Sequence, residues 1–268
     1  MIFIKFIYNI KIKMYLQLNH SNKFAIILLN ANERTDMAKE YISRKEQRII
    51  TIKKCILACE EAMIEKGYSQ ASIRDVSKLA GINQATFYNY FENFDHLRFF
   101  ASMRMIKDYS HDLKIYLNKA ETSLDYFLFI WDCFCDHAFE KPELYYFIFL
   151  ADKKKSTESL IEHYYRLFPE ELDLNMDQRI STMLIRTNLT DRAIISTDGL
   201  VKDALITKGQ AVELNDMTLV IFEGMLYRAL NNLIDYDNAR NLTMSYICRA
   251  TKSFLQKDVK HPFFDIYI

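Results

Sequence analysis

Apolar positions in this chain recur at three- and four-residue steps, the spacing of helices that bury one face. The first clear case covers 44–66, where Ile49, Ile52, Ile56, Cys59 and Met63 form one stripe and Gly67 follows as a stop. A shorter unit comes next. Ser72 and Asp75 have the spacing of a capping box, which predicts a helix starting at Ile73 with Ile73, Val76 and Ala80 turned inward. Gly81 permits a sharp turn, and Asn83 is a good N-cap for a second short helix. Phe87 and Phe91, four apart, point that helix back onto the first two. Further on, the pattern predicts helices over 95–119, 123–140 (stopped by Pro142), 143–152, 157–168, 177–188 and 191–208. Segments 215–234 and 239–256 close the chain as an antiparallel pair joined by Asp235-Tyr236-Asp237-Asn238.

Composition agrees with this reading. Only 5 Gly and 3 Pro occur in 268 residues, too little punctuation for the many turns of a sandwich or barrel. The expected fold is all-α: an N-terminal three-helix unit over 44–97, then a larger helical bundle over 98–268. Residues 1–43 read as an extension. The Ile-, Phe- and Lys-rich stretch at the start is broken by Lys5, Asn9, Lys11 and Lys13, so it makes neither a signal peptide nor a membrane span. Met37 is the expected true start, with 1–36 as upstream sequence or a loosely attached extension.

Two short helices joined by a Gly-containing turn, packed on a longer preceding helix, make a helix-turn-helix. Such a unit lays its second short helix in the major groove of DNA, where base edges carry a donor–acceptor code. Gln84 at the start of that helix suits an adenine edge, and the methyls of Ala85 and Thr86 suit a thymine methyl. Tyr88 and Tyr90 are placed to hydrogen-bond phosphates, and Asn83 and Asn89 flank them. Ser72, with the helix N-terminus it caps, offers a further phosphate contact, as do Arg44, Lys45 and Arg48 on the first helix. The charge balance of 35 basic against 35 acidic residues gives no global attraction for nucleic acid, so the binding surface has to be local.

The stretch Ser72-Ile-Arg-Asp-Val-Ser-Lys-Leu-Ala-Gly-Ile-Asn-Gln-Ala-Thr-Phe-Tyr-Asn-Tyr-Phe91 resembles the signature of the tetracycline-repressor (TetR) family, preceded by Glu65-Lys-Gly-Tyr68 and followed by Asp95-His-Leu97. Ala85 stands where Gly is commonest, and Phe94 where a phosphate-touching Lys is usual. The resemblance implies DNA contacts for Thr86, Tyr88 and Tyr90, repression as the mode of control, and a helical effector-binding and dimerisation domain after the reading head.

One head contacts few bases, so a homodimer on a pseudo-palindromic operator is expected. Its candidate interface is the terminal helix pair, through Met217, Val220, Ile221, Gly224 and Met225 on one helix and Leu242, Tyr246, Ala250 and Phe254 on the other. Aromatic density over 123–168 suits a cavity for an apolar or aromatic small-molecule effector, with Phe127, Trp131, Phe134, Tyr145, Phe149 and Tyr165 as candidate lining. The alternative is a DNA-binding protein of the same fold with a protein partner or a chromosome-organising role and no effector.

Other chemistries have little foothold. Cys55, Cys59, Cys133, Cys135 and Cys248 show no zinc-ligand pairing and read as reduced core thiols. No Walker, dinucleotide, His-Glu-x-x-His or Gly-x-Ser-x-Gly motif occurs, so neither an enzyme, a cofactor nor a metal is expected. The expected setting is the cytoplasm, with no membrane contact.

Overall fold

The computed structural model describes residues 31–151, 157–171, 178–186 and 189–268, and every regular element among them is helical. The first helix, α1 (Ala31–Lys66), buries Ile52, Ile56, Cys59 and Met63 of the predicted stripe and runs through Met37 without a break. Of the expected extension, residues 1–30 lie outside the described residues. α1 stops at Gly67, whose φ of +91° is cheap only for glycine. α2 (Ile73–Ala80) packs on it, and α3 (Gln84–Phe87) packs on α2.

The expected helix over 95–119 is two. α4 (Phe94–Met105) and α5 (Lys107–Leu117) meet at Ile106, which leaves helical geometry with φ −103° and ψ 9°. No Gly or Pro marks the break. It comes from divided allegiance: α4 packs on α1, whereas α5 buries Tyr109 and Leu113 against the next long helix. α4 therefore spans the expected domain boundary at 97/98.

That long helix, α6 (Ser123–Glu140), is the axis of the larger bundle. It opens on a second capping box, Thr122 with Asp125, and ends at Glu140, just before Pro142, as predicted. The expected helix over 143–152 is a short α7 (Pro142–Tyr145) that widens into a π-helical turn at Tyr146–Leu150. After α8 (Thr157–Leu167) and a 3-10 turn (Pro169–Glu171) come α9 (Gln178–Ile185) and α10 (Leu189–Lys202). α10 ends six residues before the expected limit of 208, in a turn where Ala204 takes φ +52°. Thr207 and Gln210 then form a capping box that starts α11 (Lys208–Leu230) earlier than expected. α12 (Tyr236–Phe254) pairs with α11, and both pack on α6.

An unforeseen tail, α13 (Pro262–Tyr267), folds back over α12. His261 meets Asp125 at 2.7 Å, and Tyr267 joins Arg240, Asp132 and Asp136 in one polar cluster. All five cysteines are free and buried, and burial pushes each thiol pKa up, that of Cys59 to about 12. Among the described residues no helix is long and apolar enough to cross a membrane, and no cluster of three or more His, Cys, Asp or Glu could hold a metal ion.

Candidate nucleic-acid interface

The reading head is built from its caps inward. Ser72 accepts the Asp75 N–H at 3.4 Å, and the Asp75 carboxylate accepts the Ser72 N–H at 3.1 Å, closing both ends of the box. The Ser72 hydroxyl also donates to Asp75 at 2.6 Å, so the side chain offered above to a phosphate is engaged by the cap itself. Lys66 pairs with the same carboxylate. Hydrogen bonds from Lys66 and Ser72 hold the Asp75 carboxyl below its ordinary range.

Gly81 ends α2 in the left-handed region, φ +60°, with its N–H reaching the Lys78 and Ser77 carbonyls. The Lys54 ammonium lies 3.7 Å from where a side chain at Gly81 would begin, a cation beside the turn that the helical pattern alone had not singled out. Asn83 caps α3 by accepting the Ala85 N–H at 2.8 Å. α3 is a single turn anchored by this cap, and Phe87 at its end and Phe91 in the segment beyond it are buried with their rings stacked 5.3 Å apart.

What remains outside is the expected reading face. Asn83, Gln84, Ala85, Tyr88 and Asn89 are exposed, while Thr86 and Tyr90 are half-buried. Tyr88 is 60 % exposed and braced edge-on against Phe87. Tyr90 is held differently: the Arg48 guanidinium sits 5.0 Å over its ring and donates to the Asn89 carbonyl at 2.9 Å. Arg48, read above as a phosphate contact, serves here as a strut between α1 and the end of the reading segment. Arg44 and Lys45 are exposed one turn earlier on α1.

Residues 56–98 match the family described as "Bacterial regulatory proteins, tetR family". The chain carries a TetR-type DNA-binding domain. It is accordingly a DNA-binding transcriptional regulator. No curated protein and no solved structure matches the chain.

Where this TetR head has Phe94 in place of the usual lysine, the ring is half-buried under the Arg98 guanidinium, 5.6 Å from its centroid. Arg98 also lies 4.1 Å over Tyr68 and 5.4 Å over Phe147 and donates to the Tyr68 carbonyl at 3.1 Å. Phe147 belongs to the π-helical turn, so this stack ties the head to the bundle.

In the bundle, the candidate pocket residues fall into groups. Phe134 touches Trp131, Tyr145 and Phe149 with ring centroids 6.0, 5.4 and 5.6 Å away. These rings fill most of the space between them, leaving a void of about 20 Å³ beside Trp131 and Phe134. Tyr165 borders a second void of about 20 Å³ with Tyr164 and Glu171. Phe127 is fully buried and lines neither. The candidate dimer stripe divides as well. Met217, Val220, Gly224, Leu242 and Tyr246 are exposed and Ile221 half-buried, but Met225 and Ala250 are buried within the chain's own core. Tyr227, exposed at the next step along α11, belongs to the outer face instead.

Proposed function

We propose that the protein acts as a homodimer that reads a pseudo-palindromic operator through the exposed face of α3 and represses transcription until a small-molecule effector releases it. The observation that carries the DNA reading is the division of α3. Phe87 and, just beyond the helix, Phe91 are sunk in the core, and this holds Gln84 and Ala85 outward at the capped helix start and Tyr88 and Asn89 outward in the turn that follows. Gln84 and Ala85 serve as base readers, and Tyr88, Asn89, Arg44 and Lys45 as positioning contacts on the phosphates. A cytoplasmic setting follows from the need to reach DNA.

Dimerisation through α11 and α12 is supported by apolar side chains that the protomer leaves uncovered. Val220 is 70 % exposed and Tyr227 58 %, with Met217 and Gly224 on the same face at steps of three and four. Space around Gly224 is open, so a partner helix could approach closely there. Two such pairs would form a four-helix bundle and set the reading heads at a fixed spacing, about 34–36 Å for adjacent major-groove turns.

The effector reading rests on the Trp131–Phe134–Tyr145–Phe149 cluster and its neighbouring voids. The small size of those voids favours the rival, in which the bundle is a filled core and the partner is a protein or the chromosome itself. Purified protein with duplex DNA from upstream of its own gene, set against random duplex, tests the first claim. A specific shift, lost in Gln84→Ala and Tyr88→Ala variants that keep their melting temperature, is expected. Equal, steeply salt-dependent binding to both duplexes would favour the chromosome-organising rival.

A further inference from the structure

Other arginines that lie deep at or near the bundle have acidic partners: Arg98 has Asp95, Arg104 has Glu60 and Glu171, and Arg240 has Asp132 and Asp136. Arg192, on α10, does not. It is 5 % exposed and makes no ion pair among the described residues. Its Nη1 donates to the backbone carbonyls of Leu184 and Arg186, both at 3.3 Å, the Tyr109 hydroxyl lies beside it, and its guanidinium stands 4.8 Å over the Phe149 ring. A buried guanidinium with so little compensation is costly unless something else meets its charge.

Arg192 and Tyr109 line both voids. The void towards α8 also contains Glu171, already held by Arg104 and Tyr164. The void towards α6 has no acidic side chain in its lining, and its walls are apolar or aromatic, with Trp131 and Phe134 foremost. Two buried donors in this region lack a hydrogen-bond partner: the Trp131 indole N–H and the Tyr145 hydroxyl. The region therefore combines a buried cation without a carboxylate partner among the described residues, two donors without an acceptor, and aromatic walls. Such a set is complementary to an anion attached to a ring.

We propose that this site takes a small aromatic carboxylate, its carboxylate on Arg192 and its ring against the faces that Trp131 and Phe134 turn to the void. The proposal rests on the effector reading above and assigns the ligand class to it. The void of about 20 Å³ holds little more than one water, so the ligand enters by displacing Phe149 from the guanidinium face. Phe149 is half-buried and sits in the π-helical turn, a geometry that is rare and concentrated at functional sites. Two residues earlier the same turn carries Phe147, whose ring lies 5.4 Å from Tyr68 of the head. A ligand that moves Phe149 thereby shifts the stack that ties the bundle to the head, which gives it the differential contact that release of DNA requires.

Trp131 is the chain's only tryptophan, so its emission reads this site directly. The experiment titrates the full chain with benzoate, phenylacetate and 3-phenylpropionate, and with benzamide, phenylacetamide and 3-phenylpropionamide as uncharged counterparts. Saturable changes in Trp131 emission with at least one acid, absent with its amide and weakened at least about tenfold in Arg192→Met, are expected. The acid-against-amide comparison is made on the unaltered protein, so it stands even where the variant fails to fold. Amides that bind as well as acids, or three acids that leave the emission unchanged at millimolar concentration, would overturn the proposal. Operator affinity, measured in parallel, separates the two readings. Acids that bind without loosening DNA would leave the site in place and remove the release mechanism. Release by neutral compounds, undiminished in Arg192→Met, would keep the mechanism and remove the site.

Discussion

The Arg104 guanidinium donates through Nη1 to Glu171 at 2.6 Å, joining α4, which spans the expected domain boundary, to the 3-10 turn of the bundle. Through Nε it also holds Glu60 of α1 at 2.8 Å, so one side chain ties the head's first helix to the far domain. Both carboxylates and the guanidinium are largely buried, and the Arg104 pKa is raised: burial opposes the charge, but the two glutamates outweigh it. Lys53 adds a weaker pair to Glu170 at 3.8 Å across the same seam.

Removing this tie should be felt in both domains. Arg104→Met leaves two shielded carboxylates without their cation and is expected to lower unfolding stability by roughly 1–3 kcal/mol. Glu171→Gln keeps a hydrogen-bond acceptor and should cost less. Urea unfolding of the three proteins checks the order, and a variant as stable as the parent would deny the seam any energetic role.

The reading face and its support should respond oppositely to truncation. Tyr88→Ala removes an exposed ring and is expected to change stability by about 0.5 kcal/mol or less while weakening operator binding. Phe87→Ala empties a fully buried position and is expected to cost about 3–5 kcal/mol, collapsing the head. Thermal melts paired with DNA-binding anisotropy separate the two outcomes.

Acid should loosen the head only below the ordinary carboxylate range. The Asp75 carboxyl is held below its ordinary value by hydrogen bonds from Lys66 and Ser72. A depressed folded pKa means stability that is present above the unfolded value, about 3.9, and lost as pH falls through the lower folded value. Asp75→Asn is expected to be less stable than the parent at neutral pH and to show a shallower loss below about pH 4. Parallel denaturation curves across that window would reveal the difference, and curves of identical shape would remove Asp75 from the acid response.

The α11–α12 face carries the dimer prediction. Val220→Glu places a charge on a 70 % exposed site, so the protomer's fold should survive while self-association fails. Sedimentation velocity is expected to give a dimer for the parent and a monomer for the variant. An unchanged dimer would move the interface elsewhere.

Local signals made the head readable. Ser72 with Asp75, Gly81, Asn83 and the Phe87–Phe91 pair each act within four residues, and each acts as its chemistry requires. The bundle was less legible because its decisive partners are far apart in sequence. Ile106 breaks a continuous helical pattern only because α4 and α5 pack on different domains, and Arg48 looked like a free cation until the fold brought it to the Asn89 carbonyl. The C-terminal tail depends on His261 reaching Asp125 and Arg240 reaching Asp132 and Asp136, contacts more than a hundred residues apart. Met225 and Ala250 share a helical period with exposed neighbours, so periodicity alone could not tell the protomer's core from its outer face.

Selection of binding sites from a random duplex pool by the full-length protein tests sequence-specific reading by a paired head most directly. The expected result is an enriched inverted repeat with half-site centres about one helical turn apart, or a multiple of it, and no enrichment by the Tyr88→Ala protein. A pool that stays random after repeated rounds, with a protein that is folded and retains DNA only at low salt, would contradict it.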